Sequence, residues 1–382
     1  MGKKDAQNRF PPTWMSVILI ALITAITYGN IYDNSFVFDD TRSIADNPAI
    51  RNPDSLLSFK QPSIPRILVN LTYSLNYRFG KLEVFGYHLV NVIIHILNGI
   101  LVYFLSRLLF KKLTSFSQPE TSIYSLFSAL IFVCHPVQTQ AVTYTVQRYT
   151  SMAAMFYLSS VFFYLKARLV SPPRTTPLFF ITLSVVSGIL AFLCKESTAS
   201  LPVAILLAEF MLGSRSWPAW KKKLPWFAVT LMLWTLYILF VSGFFSSERT
   251  GGNLLEDVSD FMYETHGISR WNYLCTQFNA ITIYIRLLFL PIRQNADYMY
   301  PFKTGFFDGC TPLACLFLTG IAGLGIWFRN KRSLIAFAIG WFFIALSVES
   351  SVIPISDALF EHRLYLPLLG FALLVPYLCR LL

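Results

Sequence analysis

The chain has 382 residues, of which 55% are hydrophobic, 16% are aromatic and only 13% are charged, and its net charge is +11. These values exclude a disordered chain, which needs few apolar residues and many charges. They also argue against a soluble globule, since soluble domains are typically about 25% charged. Apolar runs long enough to cross a bilayer recur along the whole sequence, and such runs indicate membrane spans. The composition therefore predicts an all-α polytopic membrane protein.

Ten apolar runs are predicted to be membrane spans. The first follows a basic tail but has no small-residue cleavage site, so we interpret it as a retained anchor and not as a signal peptide. The runs lie near 14–28, 87–110, 122–137, 150–168, 176–194, 198–213, 224–244, 310–328, 333–348 and 364–382.

For the segment 271–292 two placements are possible, across the membrane or within its interface. It contains Gln277, Asn279 and Arg286, so it is amphipathic instead of uniformly apolar. If it lies in the membrane interface, every basic cluster falls on one side, as the positive-inside rule prefers. If it crosses, the bundle has eleven spans.

The charges orient the bundle. With 271–292 in the interface, the inner side holds 17 of the 31 basic residues but only three of the 20 acidic ones. The net charge is therefore an orientation signal, and no basic-aromatic stripe suggests a nucleic-acid partner. Two long loops, about 30–86 and about 245–309, lie on the outer side, so we predict that the functional site is there.

Two adjacent carboxylates, Asp39 and Asp40, follow the first span. In an extended stretch their side chains point to opposite sides, so only one faces a cleft and the other orients a neighbour. The functional interpretation is that one of the two acts as a general base at the outer membrane surface. The alternative is that Asp40 merely caps a helix that begins at Thr41.

Further polar residues gather at the outer ends of the spans. Cations at the membrane boundary suit a lipid phosphate, which needs charge-assisted donors. His88 and His95 share a helix face, but no third ligand has a fitting spacing, so no metal site is predicted. The candidate phosphate-binding cations are Arg66, Arg148, Lys195 and Arg363, and the candidate supporting or acceptor-side residues are His88, His135, Glu196, Asp297, Glu361 and Tyr365.

Six motifs occur together, at 36–40, 85–91, 135–142, 147–148, 195–196 and 361–367. In this order they resemble the GT-C membrane glycosyltransferases related to the transmembrane-and-TPR O-mannosyltransferases, especially bacterial relatives. Arg66 matches that family's Tyr-Arg-Pro-Leu motif only in its arginine, and His362 is inserted in the late Glu-Arg motif. Relatives usually continue into TPR repeats, but the 382 residues contain no such repeats. We therefore expect 1–382 to be one GT-C transmembrane domain without a TPR or soluble domain.

The resemblance implies a polyprenyl- or dolichyl-phosphate monosaccharide as donor and a Ser or Thr hydroxyl as acceptor. The working hypothesis is inverting transfer in which Asp40 removes the proton of the acceptor hydroxyl, with Asp39 as the other candidate base, while retention with Asp39 as nucleophile stays open. If the cations stabilise the departing phosphate, no cofactor or metal is needed. The acceptor would come from a protein substrate or from a partner protein that supplies it.

Two alternatives remain. A GT-C transferase that modifies a lipid or polysaccharide, as aminoarabinose transferases do, would fit the missing TPR repeats. A transporter or lipid-handling protein would instead carry ionisable residues in mid-span. The motif spellings favour a bacterial inner membrane with a periplasmic site, with the ER membrane as the alternative.

Overall fold

A computed structural model shows a helical bundle. It describes residues 12–52, 66–169, 175–212, 268–355 and 357–382, with isolated positions between 221 and 235, and these parts contain no strand. The principal helices are α1 (Thr13–Thr27), α2 (Ile67–Gly80), α3 (Val84–Leu113), α4 (Gln118–Cys134), α5 (Arg148–Leu169), α6 (Thr175–Phe192), α7 (Leu201–Leu212), α8 (Arg270–Phe289), α9 (Thr311–Phe328), α10 (Ser333–Leu346) and α11 (Leu368–Leu381).

Nine of the ten predicted spans overlap one of these helices, and the tenth, 224–244, lies outside the continuously described residues. By length and apolar composition, α3 and α9 can each cross a bilayer within the described parts of the chain. A third crossing results if α4 and the segment 136–143, which are bent by 50°, form one span. With four shorter apolar helices, α1, α6, α10 and α11, the architecture agrees with an all-α polytopic membrane protein.

Local sequence explains where α4 begins and ends. The Ser117 hydroxyl accepts a hydrogen bond from the Glu120 amide, and the Glu120 carboxylate accepts one from the Ser117 amide at 2.8 Å. This capping box satisfies donors that the first helical turn leaves unpaired. At the other end Pro136 disfavours helical backbone at His135, which is extended. The chain therefore turns there and enters the segment that contains the candidate site.

Two glycines allow helices to approach closely. A Cβ atom on Gly99 of α3 would lie 2.5 Å from Val133 of α4 and 2.9 Å from Ile20 of α1. A Cβ atom on Gly370 of α11 would lie 2.5 Å from the carbonyl oxygen of Ala338 in α10. Small residues at such crossings are typical of membrane helix bundles.

The predicted cytoplasmic end carries paired charges. Arg168 of α5 donates two hydrogen bonds to the Glu209 carboxylate of α7, at 2.8 and 2.9 Å. Arg380 of α11 pairs with Glu120 at 2.5 Å. Two of the three acidic residues predicted for this end are thus bonded to arginines from neighbouring helices, and the third, Asp5, lies outside the described residues.

Helix α8 lies across the opposite end of the bundle. Near its start, the Tyr273 hydroxyl donates to the Glu349 carbonyl at 2.9 Å. Near its end, the Leu288 carbonyl bonds to His135 Nε2 at 3.0 Å. Glu349 follows α10 and His135 follows α4, so both ends of α8 contact the same end of the bundle. This placement supports the interpretation of 271–292 as an interfacial helix.

Candidate functional site

The two adjacent aspartates face different surroundings, although the backbone at both is helical and not extended as predicted. Asp40 is buried, with Oδ1 accepting from the Val146 amide at 2.6 Å and Oδ2 from the Val37 amide at 3.2 Å. Asp39 is exposed, and its amide donates to the Tyr144 hydroxyl at 2.7 Å. A helical turn does begin at Thr41, but the Asp40 side chain does not cap it. The capping interpretation of Asp40 therefore does not account for its position.

Burial shifts the protonation of Asp40. Removal of its carboxylate from water raises the pKa to about 6, although the amides of Val37 and Val146 favour the charged form and oppose the shift. The neighbouring charge of Asp39 adds to the rise. Asp40 is thus a carboxyl group whose charge changes near neutral pH.

A cavity of about 500 Å³ opens beside this pair. Its lining is mostly neutral and polar, and Glu361 is the one charged residue among the lining residues that the structure describes. Burial raises the pKa of the Tyr144 hydroxyl, and the charge of Asp39 adds to this effect. The lining residues are Asn34, Ser35, Val37, Phe38, Thr139, Gln140, Thr143, Tyr144, Gln294, Asn295, Ala296 and Glu361.

Glu361 is buried at the wall of the cavity and is held by neutral donors. Its carboxylate accepts from Gln294 Nε2 at 2.5 Å, from the Asn295 amide at 3.0 Å and from the Tyr298 hydroxyl. These donors all come from the segment that follows α8. Glu361 therefore attaches that segment to the bundle and gives the cavity one of its walls.

Cations gather at the same end of the bundle. Lys195 Nζ lies 2.6 Å from Glu349 Oε1 and also donates to Thr150 Oγ1 at 3.0 Å. Arg66 lies 3.5 Å from Glu196, and both side chains are about half exposed. We call this group the cation cluster; it consists of Arg66, Lys195 and Arg363 with the acids Glu196 and Glu349.

Arg363 is buried, and its guanidinium donates to the Asp357 carbonyl at 2.6 Å. Burial would raise the pKa of Glu349, but the charges of Lys195 and Arg363, together with that of Arg66, hold it below its usual value. Burial and the same two neighbouring cations, Lys195 and Arg363, lower the pKa of His362 well below the ordinary value. The cluster therefore holds three basic and two acidic side chains, and its cations keep the carboxylate of Glu349 ionised.

Arg148 is not among the residues of the cation cluster, and it is the most deeply buried of the four predicted phosphate-binding cations. Its side chain is fully buried, and all three guanidinium nitrogens donate to protein atoms. It leaves no surface on which a phosphate could bind. The acceptors are Asn91 Oδ1 at 2.7 Å, Thr72 Oγ1 at 3.0 Å, Asn76 Oδ1 at 2.8 Å and the Tyr87 carbonyl at 2.9 Å.

The predicted supporting histidines connect segments around the site. His88 is buried in α3, and its Nε2 bonds to the Asn34 carbonyl at 2.9 Å, which attaches the loop that carries the aspartates. His135 bonds to Leu288 and thereby attaches α8. Within the described ranges, no group of three or more His, Cys, Asp or Glu side chains is arranged to hold a metal ion.

Two other predicted residues are not brought into the cavity wall. Asp297 is exposed, and its Oδ1 accepts from the Met299 amide at 3.3 Å, so it shapes its own loop. Tyr365 is fully buried in the bundle, where its hydroxyl bonds to His95 Nδ1 at 2.7 Å and accepts from Asn98 at 3.0 Å. Tyr365 therefore packs inside the bundle and does not line the cavity in which an acceptor hydroxyl was expected to bind.

The sequence analysis did not single out Tyr144 and Gln294. Tyr144 lies in the segment between His135 and Arg148, so a reading of that whole outer segment could have included it. Gln294 had no signal of its own, because its bond to Glu361 joins residues that are far apart in the chain.

Comparison with known proteins identifies relatives of one kind. The human protein O-mannosyl-transferase TMTC4 is 29% identical over 206 residues, which are 49% of this chain and 28% of that protein. The mouse protein O-mannosyl-transferase TMTC3 is 30% identical over 193 residues, covering 47% of this chain and 20% of that protein. The Drosophila melanogaster protein O-mannosyl-transferase Tmtc3 is 24% identical over 451 residues, covering 98% of this chain and 47% of that protein.

The chain thus spans at most about half the length of these relatives. No family model matches it, and no solved structure matches it. The match to the Drosophila protein runs through nearly all of this chain, and the named relatives are consistent with one another. The resemblance to the transmembrane-and-TPR O-mannosyltransferases, inferred from the motifs, is confirmed.

Proposed function

We propose that this relative of the protein O-mannosyl-transferases is itself a membrane glycosyltransferase. It moves a monosaccharide from a polyprenyl-phosphate donor to a Ser or Thr hydroxyl of a protein. The observation that carries the proposal is the exposed Asp39 beside a cavity of neutral polar groups, with a cation cluster on the adjoining segments. The names of the relatives support the reaction class and the protein acceptor.

Asp39 is the general base in this proposal, and Asp40 holds the loop. A base must reach the proton that it removes. Asp39 is exposed, whereas both oxygens of Asp40 are occupied by backbone amides and its side chain is buried. Tyr144 bonds to the Asp39 amide and lines the cavity, so it keeps this part of the loop against the cavity wall.

The reaction needs one base and a stabilised leaving group. The acceptor O–H bond breaks and its proton passes to Asp39, while the acceptor oxygen forms a bond to the anomeric carbon. The bond from that carbon to the phosphate oxygen breaks, and polyprenyl phosphate leaves with the electron pair. Arg66, Lys195 and Arg363 supply positive charge for this phosphate, and such fixed charge is often the largest contribution to catalysis.

The site belongs on the non-cytoplasmic side of the membrane in this proposal, in the periplasm or in the lumen of the ER. The opposite end of the bundle has a net positive charge, with 17 of the 31 basic residues and only three of the 20 acidic ones, and cytoplasmic loops carry an excess of Lys and Arg. Helix α8 would lie in the outer interface, with Trp271 and Phe289 exposed near its two ends.

The test uses purified protein, a panel of polyprenyl-phosphate sugars and an acceptor mixture of protein and lipid, with release of polyprenyl phosphate as the readout. We expect wild-type protein to release it and to label the protein fraction, and Asp39→Asn to lower the rate by about 10² to 10⁴-fold. Asp33→Asn is the matched control, because Asp33 is an exposed aspartate of the same loop, six residues before Asp39 in the chain. Absence of release from every donor would contradict the function, and label in the lipid fraction alone would contradict the protein acceptor.

A further inference from the structure

We propose that Arg148 is a positioning residue that fixes the carboxylate of Asp40, and not a ligand of the donor phosphate. The inference rests on the proposed function for its catalytic consequence. The contacts that carry it form what we call the Arg148 clamp: Arg148, Asn91, Tyr73 and the backbone of Thr145 and Val146.

The guanidinium lies at the meeting point of three helices. Arg148 is the first residue of α5, and its guanidinium donates to Thr72 and Asn76 of α2 and to Asn91 of α3. Its central carbon also lies 4.5 Å from the centre of the Tyr73 ring, a distance typical of a cation–π contact. No carboxylate is among the hydrogen-bond acceptors that the structure gives this guanidinium.

The partners of Arg148 hold the turn that binds Asp40. Asn91 Nδ2 donates to the Thr145 carbonyl at 3.3 Å, and the Tyr73 hydroxyl donates to the carbonyls of Thr145 and Val146 at 3.0 and 3.2 Å. The amide of Val146 then donates to Asp40 Oδ1 at 2.6 Å. The guanidinium is thus connected to the Asp40 carboxylate through two side chains and one turn.

Asp40 passes this constraint on to Asp39. Its other oxygen accepts from the Val37 amide, and its own amide donates to the Val37 carbonyl at 3.0 Å. Between them Phe38 has a φ of 47°, a left-handed conformation that costs a bulky residue energy and persists only where its surroundings enforce it. The clamp therefore determines where the Asp39 carboxylate lies relative to the cavity.

The charge and shape of arginine suit this position. A guanidinium is planar and has five donors in a fixed arrangement, whereas a lysine ammonium is a compact charge that cannot reach the same four acceptors. If Arg148 instead bound the donor phosphate, lysine could replace it in part, because lysine also binds phosphate well as a point charge. Replacement by lysine consequently separates the two roles.

The kinetic experiment compares Arg148→Lys, Arg148→Gln and Arg66→Gln in the polyprenyl phosphate release assay. The clamp predicts that both Arg148 variants lower kcat by about 10²-fold, as a misplacement of about 1 Å can do, with the donor KM unchanged. Arg66→Gln, in the exposed part of the cation cluster, should instead raise the donor KM. Recovery of activity by Arg148→Lys, or a raised donor KM in either Arg148 variant, would overturn the inference.

A second arm does not depend on catalysis and covers the case in which the Arg148 variants fail to fold. Tyr73→Phe removes only the hydroxyl that donates to Thr145 and Val146. Amide hydrogen exchange of the detergent-solubilised protein should become faster at 37–40 and 144–147 in this variant, while exchange in α10 stays unchanged. Unchanged exchange at 37–40 would overturn the clamp. A lack of polyprenyl phosphate release by the wild type would instead overturn the proposed function, and the exchange result alone would then decide the clamp.

Discussion

Glu349 and Glu361 lie at the same end of the bundle but are stabilised in different ways. Glu349 is paired with Lys195 at 2.6 Å, and Arg363 and Arg66 add positive charge. The described partners of Glu361 are neutral donors from Gln294, Asn295 and Tyr298. One carboxylate thus belongs to a group of charges and the other to a hydrogen-bonded wall.

The difference shows how one end of a bundle can hold two environments side by side. Glu361, His362 and Arg363 are consecutive, and the first lines the cavity while the last lies in the cation cluster. His362 lies between them, with its amide bonded to Gln140 Oε1 at 2.8 Å. In the proposed reaction, the donor phosphate would use the first of these environments and the neutral sugar or hydroxyl the second.

The largest effect should come from Lys195→Met, which leaves Glu349 without its nearest counter-charge. The two side chains are only 13% and 15% exposed, and removal of one partner from a fully buried ion pair, the upper limit for this site, destabilises a protein by about 3 to 5 kcal/mol. The measurement is thermal and denaturant unfolding in detergent. Lys303→Met is the control, because Lys303 pairs at 3.3 Å with a more exposed carboxylate, Asp308, and such pairs contribute little. Equal stability of the two variants would refute the distinction drawn for Glu349.

A smaller effect is expected for Glu361→Gln. The amide has the shape of the carboxylate but loses the charge in three hydrogen bonds, and a hydrogen bond to a charged group contributes about 1.5 to 3 kcal/mol. Because the wall at 294–298 loosens, amide exchange there should rise and the acceptor KM should increase, while the donor KM stays constant. A change in donor KM would place Glu361 with the phosphate environment and remove the contrast with Glu349.

The smallest effect concerns Asp40, which is buried like Glu361 and accepts hydrogen bonds from two backbone amides. Its pKa is raised to about 6 in the folded protein, above an unfolded value of about 3.9. The folded state therefore binds more protons than the unfolded state between these values, and stability falls as the pH rises through that window. The melting temperature measured from pH 4 to pH 7 should show this decline in the wild type, and Asp40→Asn should reduce it by the equivalent of one proton. An unchanged slope in the variant would show that another group titrates there.

Much of the helical architecture followed from the apolar runs. Each of the nine observed matches is an apolar stretch bounded by polar or helix-ending residues, such as the Ser117–Glu120 box and Pro136 at the two ends of α4. The sequence also predicted that Asp39 and Asp40 face different surroundings, but the extended backbone on which this prediction relied is wrong. The backbone there is helical, and successive side chains of a helix point about 100° apart. Which of the two is buried could not be predicted, since the amide of Val146 that binds Asp40 lies 106 residues away in the sequence.

The sequence by itself determined the membrane class, the position of most helices, the grouping of polar residues at one end and the family resemblance. These depend on composition and on local patterns that a single segment carries. Only the tertiary structure decided that Lys195 pairs with Glu349, that Arg148 is enclosed, that α8 lies across the bundle and that Tyr365 is packed inside it. A helical pattern shows which face of a helix is apolar, but the partner of a polar side chain is set by segments that meet only when the bundle has formed.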